Sequence, residues 1–152
     1  STQFICMRNI YKRLDQSIQK QLDNLDAIHH FAHSRSKIDS SMVSQIELDK
    51  FPPVIHPMVK INPVNNKKAV YFGSHTKSIK NLDGDESSKL LKYLNDFINN
   101  EDYIYSHKWD DFDLIIWDNR SMLHRGQPYD ITEPRYLVRA TVSDTMSMGT
   151  YL

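Results

Sequence analysis

Residues 115–126 read Ile-Ile-Trp-Asp-Asn-Arg-Ser-Met-Leu-His-Arg-Gly, IIWDNRSMLHRG, and how they are read decides the fold. An apolar run stops at Trp-Asp-Asn, and a second short apolar run then delivers one histidine, His124. Short runs of branched and aromatic residues suit pleated strands, while Asp-Asn suits the turn between them. Strand, turn, strand is therefore the expected order. His124 has two readings at this point: a hydrogen-bonded histidine in a packed sheet, or one ligand of a metal site whose other ligands lie elsewhere.

Working outward, Arg135–Val142 has the alternation of a final strand, with Arg135, Leu137, Arg139 and Thr141 on one face. Two arginines on one face form either a solvated surface or an anion site, since guanidinium donors match a carboxylate bidentately. A hairpin turning near Ile131 would set His124 opposite Arg139, with β-carbons about 5 Å apart. Tyr103–Trp109, Leu114–Trp117 and Met122–His124 also read as strands. No helix separates these segments, which favours an antiparallel sandwich or barrel with helices packed outside it.

The N-terminal part is more helical. Ile10, Leu14, Ile18, Leu22, Leu25 and Ile28 step by three or four, so 9–33 is expected to be one amphipathic helix or two in succession. Ser34–Ser41 reads as an exposed loop, and Phe51-Pro52-Pro53 excludes helix. Val54–Ile61 and Ala69–Phe72 suggest a hairpin around Asn62-Pro63-Val64-Asn65-Asn66. Asp83 followed three places later by Glu86 marks a helix start; Leu90, Leu91, Leu94, Phe97 and Ile98 supply its apolar stripe, and Asn99-Asn100 its end. Ser143–Leu152 has little pattern and is expected to fray.

A chain of 152 residues supports one domain, 1–152, with a sizeable core. Its 19 Lys and Arg balance 19 Asp and Glu, which argues against nucleic acid or an anionic membrane surface as partner. One cysteine, Cys6, gives no disulfide framework and favours a reducing, cytoplasmic setting. No apolar stretch approaches the length of a membrane span. With 4 glycines there is no phosphate loop, and neither a Gly-x-Ser-x-Gly elbow nor Cys-x-x-Cys occurs. Among the other histidines, His29, His30 and His33 are placed near a helix end; His56 and His107 look like strand or turn residues. His75, in Gly-Ser-His-Thr, reads as a turn or the rim of a pocket.

Taken together, HPMVKINPVNNKKAVYFGSHTKSI (56–79), YIYSHKWDDFDLIIWDNRSMLHRG (103–126) and PRYLVRATV (134–142) resemble the taurine dioxygenase family of Fe(II)- and 2-oxoglutarate-dependent oxygenases, closest to its phenoxyacetate-herbicide branch. The resemblance runs from about Thr2 to Asp144 and implies a double-stranded β-helix, or jelly roll, with flanking helices. It implies that His124 ligates iron and that Arg139 pairs with the far carboxylate of 2-oxoglutarate. Arg135 would lie near the same cosubstrate, and Thr2 would hydrogen-bond its carboxylate. Asp118 and Asn119 fit a structural turn without chemistry of their own. O₂ and a small organic acid, of sulfonate or aryloxy type, would complete the reaction.

One departure from the family matters. Two further iron ligands come from a His-x-Asp or His-x-Glu motif, yet the residues two places after the seven histidines are Phe31, Ala32, Arg35, Met58, Lys77, Trp109 and Gly126. The chain thus offers one ligand of the three in a facial triad. The expectation is a C-terminal part of a longer enzyme, an incomplete jelly roll inactive alone. Two rivals stand beside it: a non-catalytic jelly-roll module that binds a small carboxylate, and an interaction domain that pairs through its first helix. Homo-oligomer formation is left open.

Overall fold

The computed structural model describes residues 1–36, 43–142 and 150–151. Strand β1, Thr2–Cys6, is central in a three-stranded antiparallel sheet, flanked by β7, Ile104–His107, and β8, Met122–Gly126. Alternation along β1 turns Thr2 and Phe4 inward, both buried. Across the sheet Thr2 pairs with His107 and Gly126, and Phe4 with Tyr105 and His124. A second antiparallel sheet runs β6 (Thr76–Ile79), β2 (Asp26–His29), β3 (Val54–Pro57) and β9 (Thr150–Tyr151). The expected hairpin is present as β4, Val59–Ile61, paired with β5, Lys68–Val70. Its turn is built by Asn62, whose Oδ1 accepts from the amides of Val64 and Asn65, and by Asn66 at φ 55; asparagine tolerates that left-handed backbone better than most residues.

The expected helix over 9–33 is divided. Helix α1, Met7–Arg13, ends where Leu14 turns to extended backbone; α2 is Gln16–Leu22, and β2 then begins. Gln19 Nε2 donates to the carbonyls of Tyr11 and Leu14, which serves acceptors orphaned at the break. Downstream, Asp26–His29 gains ladder partners on both sides, β3 and β6, and two-sided pairing outweighs helical spacing. His33 falls in a separate short helix, α3, Phe31–Ser36. The loop expected at 34–41 is helical over its first three residues and otherwise lies outside the described residues. Helix α4, Gln45–Lys50, starts at a Ser44–Glu47 capping box.

Helix α5, Gly84–Ile98, matches its expected limits, with a reciprocal capping box between Asp83 and Glu86. Leu90, Leu94 and Ile98 enter the main core with Met7, Ile10, Leu14, Leu22, Met58, Val70 and Ile79. Ser87 Oγ accepts the Ile79 amide at 2.8 Å, fixing α5 against β6.

Two expected strands are absent: Leu114–Trp117 and Arg135–Val142 carry no strand assignment. A strand needs a neighbour for its amides and carbonyls, and neither segment has one among the described residues. β8 takes β1 as partner, so the hairpin proposed across Ile131 does not form. Large apolar side chains of these segments stay exposed, including Leu114, Ile116, Tyr136 and Val138. Most of 143–152, expected to fray, lies outside the described residues.

Candidate active site

The Trp-Asp-Asn turn is the local device that aims β8. Backbone carbonyl Asp118 accepts the amides of Ser121 and Met122, each at 3.0 Å, and Ser121 returns its carbonyl to the Met7 amide at 2.9 Å. The Asp118 carboxylate accepts from Arg120 Nε at 2.9 Å and lies 3.6 Å from Arg8 Nη2. Hydrogen bonds from Arg120 hold its carboxyl below the usual carboxylate range. Asp118 and Asn119 build this turn together: Asn119 Oδ1 receives the Trp117 indole N–H at 2.7 Å.

That arrangement brings the Trp117 ring to 4.9 Å from His124 and 5.3 Å from Phe4. Phe4 itself stacks 6.3 Å from His124. His124 faces Phe4 across the ladder, and Thr2 is two residues from Phe4 on β1, so Thr2, Phe4 and His124 share one face. Against this aromatic support, desolvation and then the charge of Arg139 hold the His124 imidazole below its ordinary value. The ring is therefore neutral near pH 7, with a nitrogen lone pair free to ligate a metal. Both His124 and Arg139 are solvent-exposed.

Arg139 thus meets His124 electrostatically, though through an irregular segment instead of the expected opposed strand. Arg135 points its guanidinium at the Tyr129 ring, 4.5 Å from its centre, and lines a shallow cleft with Asp111, Phe112, Pro134 and Tyr136. Thr2 is buried, and its Oγ1 accepts the Trp109 indole N–H at 2.8 Å.

His107 lies on this face too, opposite Thr2 on β7, while His29, His56 and His75 belong to the second sheet and its turns. His75 Nδ1 lies 2.8 Å from Ser34 Oγ within the Gly73–Thr76 turn. His29 and His56 come together instead, their rings 5.3 Å apart, each beside Tyr71. Burial leads in lowering both to about 4, with Lys60 adding to it. No sequence spacing joins His29 to His56; pairing of β2 with β3 does. Phe4, Trp109 and Trp117 were equally unmarked, although Phe4 could have been found from its position two residues after Thr2 on one strand face.

The family model described as Taurine catabolism dioxygenase TauD, TfdA family matches residues 1–141. This chain belongs to that family. Among TauD/TfdA relatives, the alpha-ketoglutarate-dependent 2,4-dichlorophenoxyacetate dioxygenase of Cupriavidus pinatubonensis is 34% identical over 143 residues, covering 94% of this chain and 50% of that protein. The (S)-phenoxypropionate/alpha-ketoglutarate-dioxygenase of Sphingobium herbicidovorans is 32% identical over 157 residues, covering 99% and 55%. The crystal structure of AAD-2 in complex with Mn(II) and N-oxalylglycine superimposes with a TM-score of 0.82 at 33% identity, over 88% of this chain and 52% of that one. The fold is the TauD/TfdA jelly roll with flanking helices, incomplete relative to these homologues. The chain spans about half the length of the curated relatives it matches.

The donor set fits one corner of an iron centre. His124 supplies a single imidazole, and no group of three or more His, Cys, Asp or Glu is placed to hold a metal among the described residues. A facial triad needs three.

Proposed function

We propose that this chain forms part of an Fe(II)- and 2-oxoglutarate-dependent dioxygenase that hydroxylates a small organic acid of aryloxy or sulfonate type. His124 is its iron ligand, and Arg139, Arg135 and Thr2 attend the cosubstrate. The observation that carries this reading is the shared face of Thr2, Phe4 and His124 with the charge of Arg139 beside it. When bound, iron, O₂ and 2-oxoglutarate supply the oxidising chemistry, the cosubstrate leaving as succinate and CO₂. The chain's own work is binding and orientation. Trp117 and Phe4 fix the plane of His124, and Arg139 helps keep that imidazole neutral while offering a permanent cation to a carboxylate. Arg135 and the Thr2 hydroxyl add a second guanidinium and a neutral hydrogen-bonding group.

Calorimetry with 2-oxoglutarate and Mn(II) on the complete enzyme tests the assignment. Arg139→Ala should weaken cosubstrate binding roughly tenfold or more, as loss of a charge-assisted hydrogen bond does; unchanged affinity refutes the role of Arg139. The 152-residue chain alone is expected to bind metal weakly and to turn over little or no substrate. A second reading needs no metal, in keeping with the lack of a three-ligand group among the described residues: a non-catalytic module that captures a small carboxylate through Arg135 and Arg139. Binding of 2-oxoglutarate that is indifferent to added metal would select it.

A further inference from the structure

Thr2 is a buried residue of β1, between β7 and β8, and its hydroxyl oxygen already accepts a hydrogen bond from Trp109 Nε1 at 2.8 Å. An indole N–H can only donate, so the direction of this bond is settled without knowing any hydrogen position. Thr2 retains one proton to give, and no acceptor for it is found among the described residues. An incoming carboxylate would give that proton a charge-assisted acceptor.

Trp109 is itself held in place. His107 meets the indole edge-on, ring centres 4.9 Å apart at 85°. His107 Nε2 lies 2.9 Å from Asp113 Oδ2, and the same oxygen accepts the Asp110 amide at 3.0 Å. The end of β7 and the loop after it thus anchor the indole.

We propose that Trp109 is a positioning residue for the cosubstrate: by occupying the acceptor side of the Thr2 hydroxyl, its N–H turns the Thr2 proton outward as a donor to a carboxylate. The inference rests on the proposed role of Thr2 at 2-oxoglutarate. Trp109 touches no reacting atom. It fixes the polarity of a group that does.

Steady-state kinetics of the complete enzyme, with 2-oxoglutarate and the organic acid varied separately, test it. The key variant replaces Trp109 site-specifically by β-(3-benzothienyl)alanine, which keeps the bicyclic shape and exchanges N–H for sulfur, so that folding is preserved; Trp109→Phe is its coarser companion. Loss of the donor should raise the 2-oxoglutarate KM about three- to tenfold, leaving kcat and the organic-acid KM within about twofold. Thr2→Val should raise the same KM, and in that background the Trp109 replacement should add nothing. If Thr2→Val leaves the 2-oxoglutarate KM unchanged, Thr2 is not a cosubstrate contact and both readings of it fail. If Thr2→Val raises that KM while the benzothienyl replacement does not, or if the two effects simply multiply, the positioning role of Trp109 is overturned and the role of Thr2 stands.

Discussion

Acidification should unlock the second sheet through two histidines outside the site. His29 and His56 each fall from an ordinary 6.5 to about 4 in the folded protein, both chiefly because they are desolvated between β2, β3 and Tyr71. A histidine with a depressed folded-state value binds fewer protons folded than unfolded between those two values, so stability is full above pH 6.5 and drains as pH falls toward about 4. At about 1.36 kcal/mol per pH unit, an unscreened imidazole would contribute roughly 3.4 kcal/mol over that window. Each ring keeps some access to solvent, which reduces the figure to about 1–2 kcal/mol apiece and about 2–4 kcal/mol for the pair. Set against a total of about 5–15 kcal/mol for a domain, this is a large loss. Urea unfolding at half-unit steps from pH 7.5 to 4 measures it, with His29→Phe/His56→Phe as comparison. The double variant should show a distinctly flatter profile whatever its stability at pH 7.5. Parallel profiles for the two proteins would refute the burial argument, since Asp118 and the other carboxylates are common to both.

Two further outcomes are expected. Asp83→Ala removes the oxygen that accepts the Glu86 amide at 2.7 Å and should cost about 1 kcal/mol by chemical denaturation, most of it recovered by Asp83→Ser. Arg139→Gln removes the second of two causes that depress His124, so an NMR titration of that imidazole should show its pKa rising while remaining under 6.5, because desolvation, the larger cause, persists.

Local chemistry made several elements legible before any fold was known. A capping box and a stripe at helical spacing define α5, because both act within a few turns of one helix. The asparagine-rich turn of β4 and β5 and the Trp-Asp-Asn turn before β8 are likewise closed by bonds between near neighbours. His124 and Thr2 were legible through the family resemblance, His124 on the Trp-Asp-Asn-Arg-x-x-x-His block and Thr2 on Thr-Gln-Phe near the start of the chain. The division of 9–33 was not: its apolar spacing suits a helix throughout, and only ladder partners more than twenty residues away convert Asp26–His29 into strand. For the same reason Arg135–Val142 alternates like a strand and yet has no strand assignment.

What the sequence determined alone is where turns, caps and apolar faces fall, since those depend on backbone preferences and side chains a few positions apart. Tertiary structure decided which faces meet: that β8 lies against β1 and not against 135–142, that His29 finds His56, and that Trp109 reaches Thr2 across 107 residues of chain. Such choices are set by competition among distant strands for hydrogen-bonding edges and buried area, a contest whose result no single segment carries within itself.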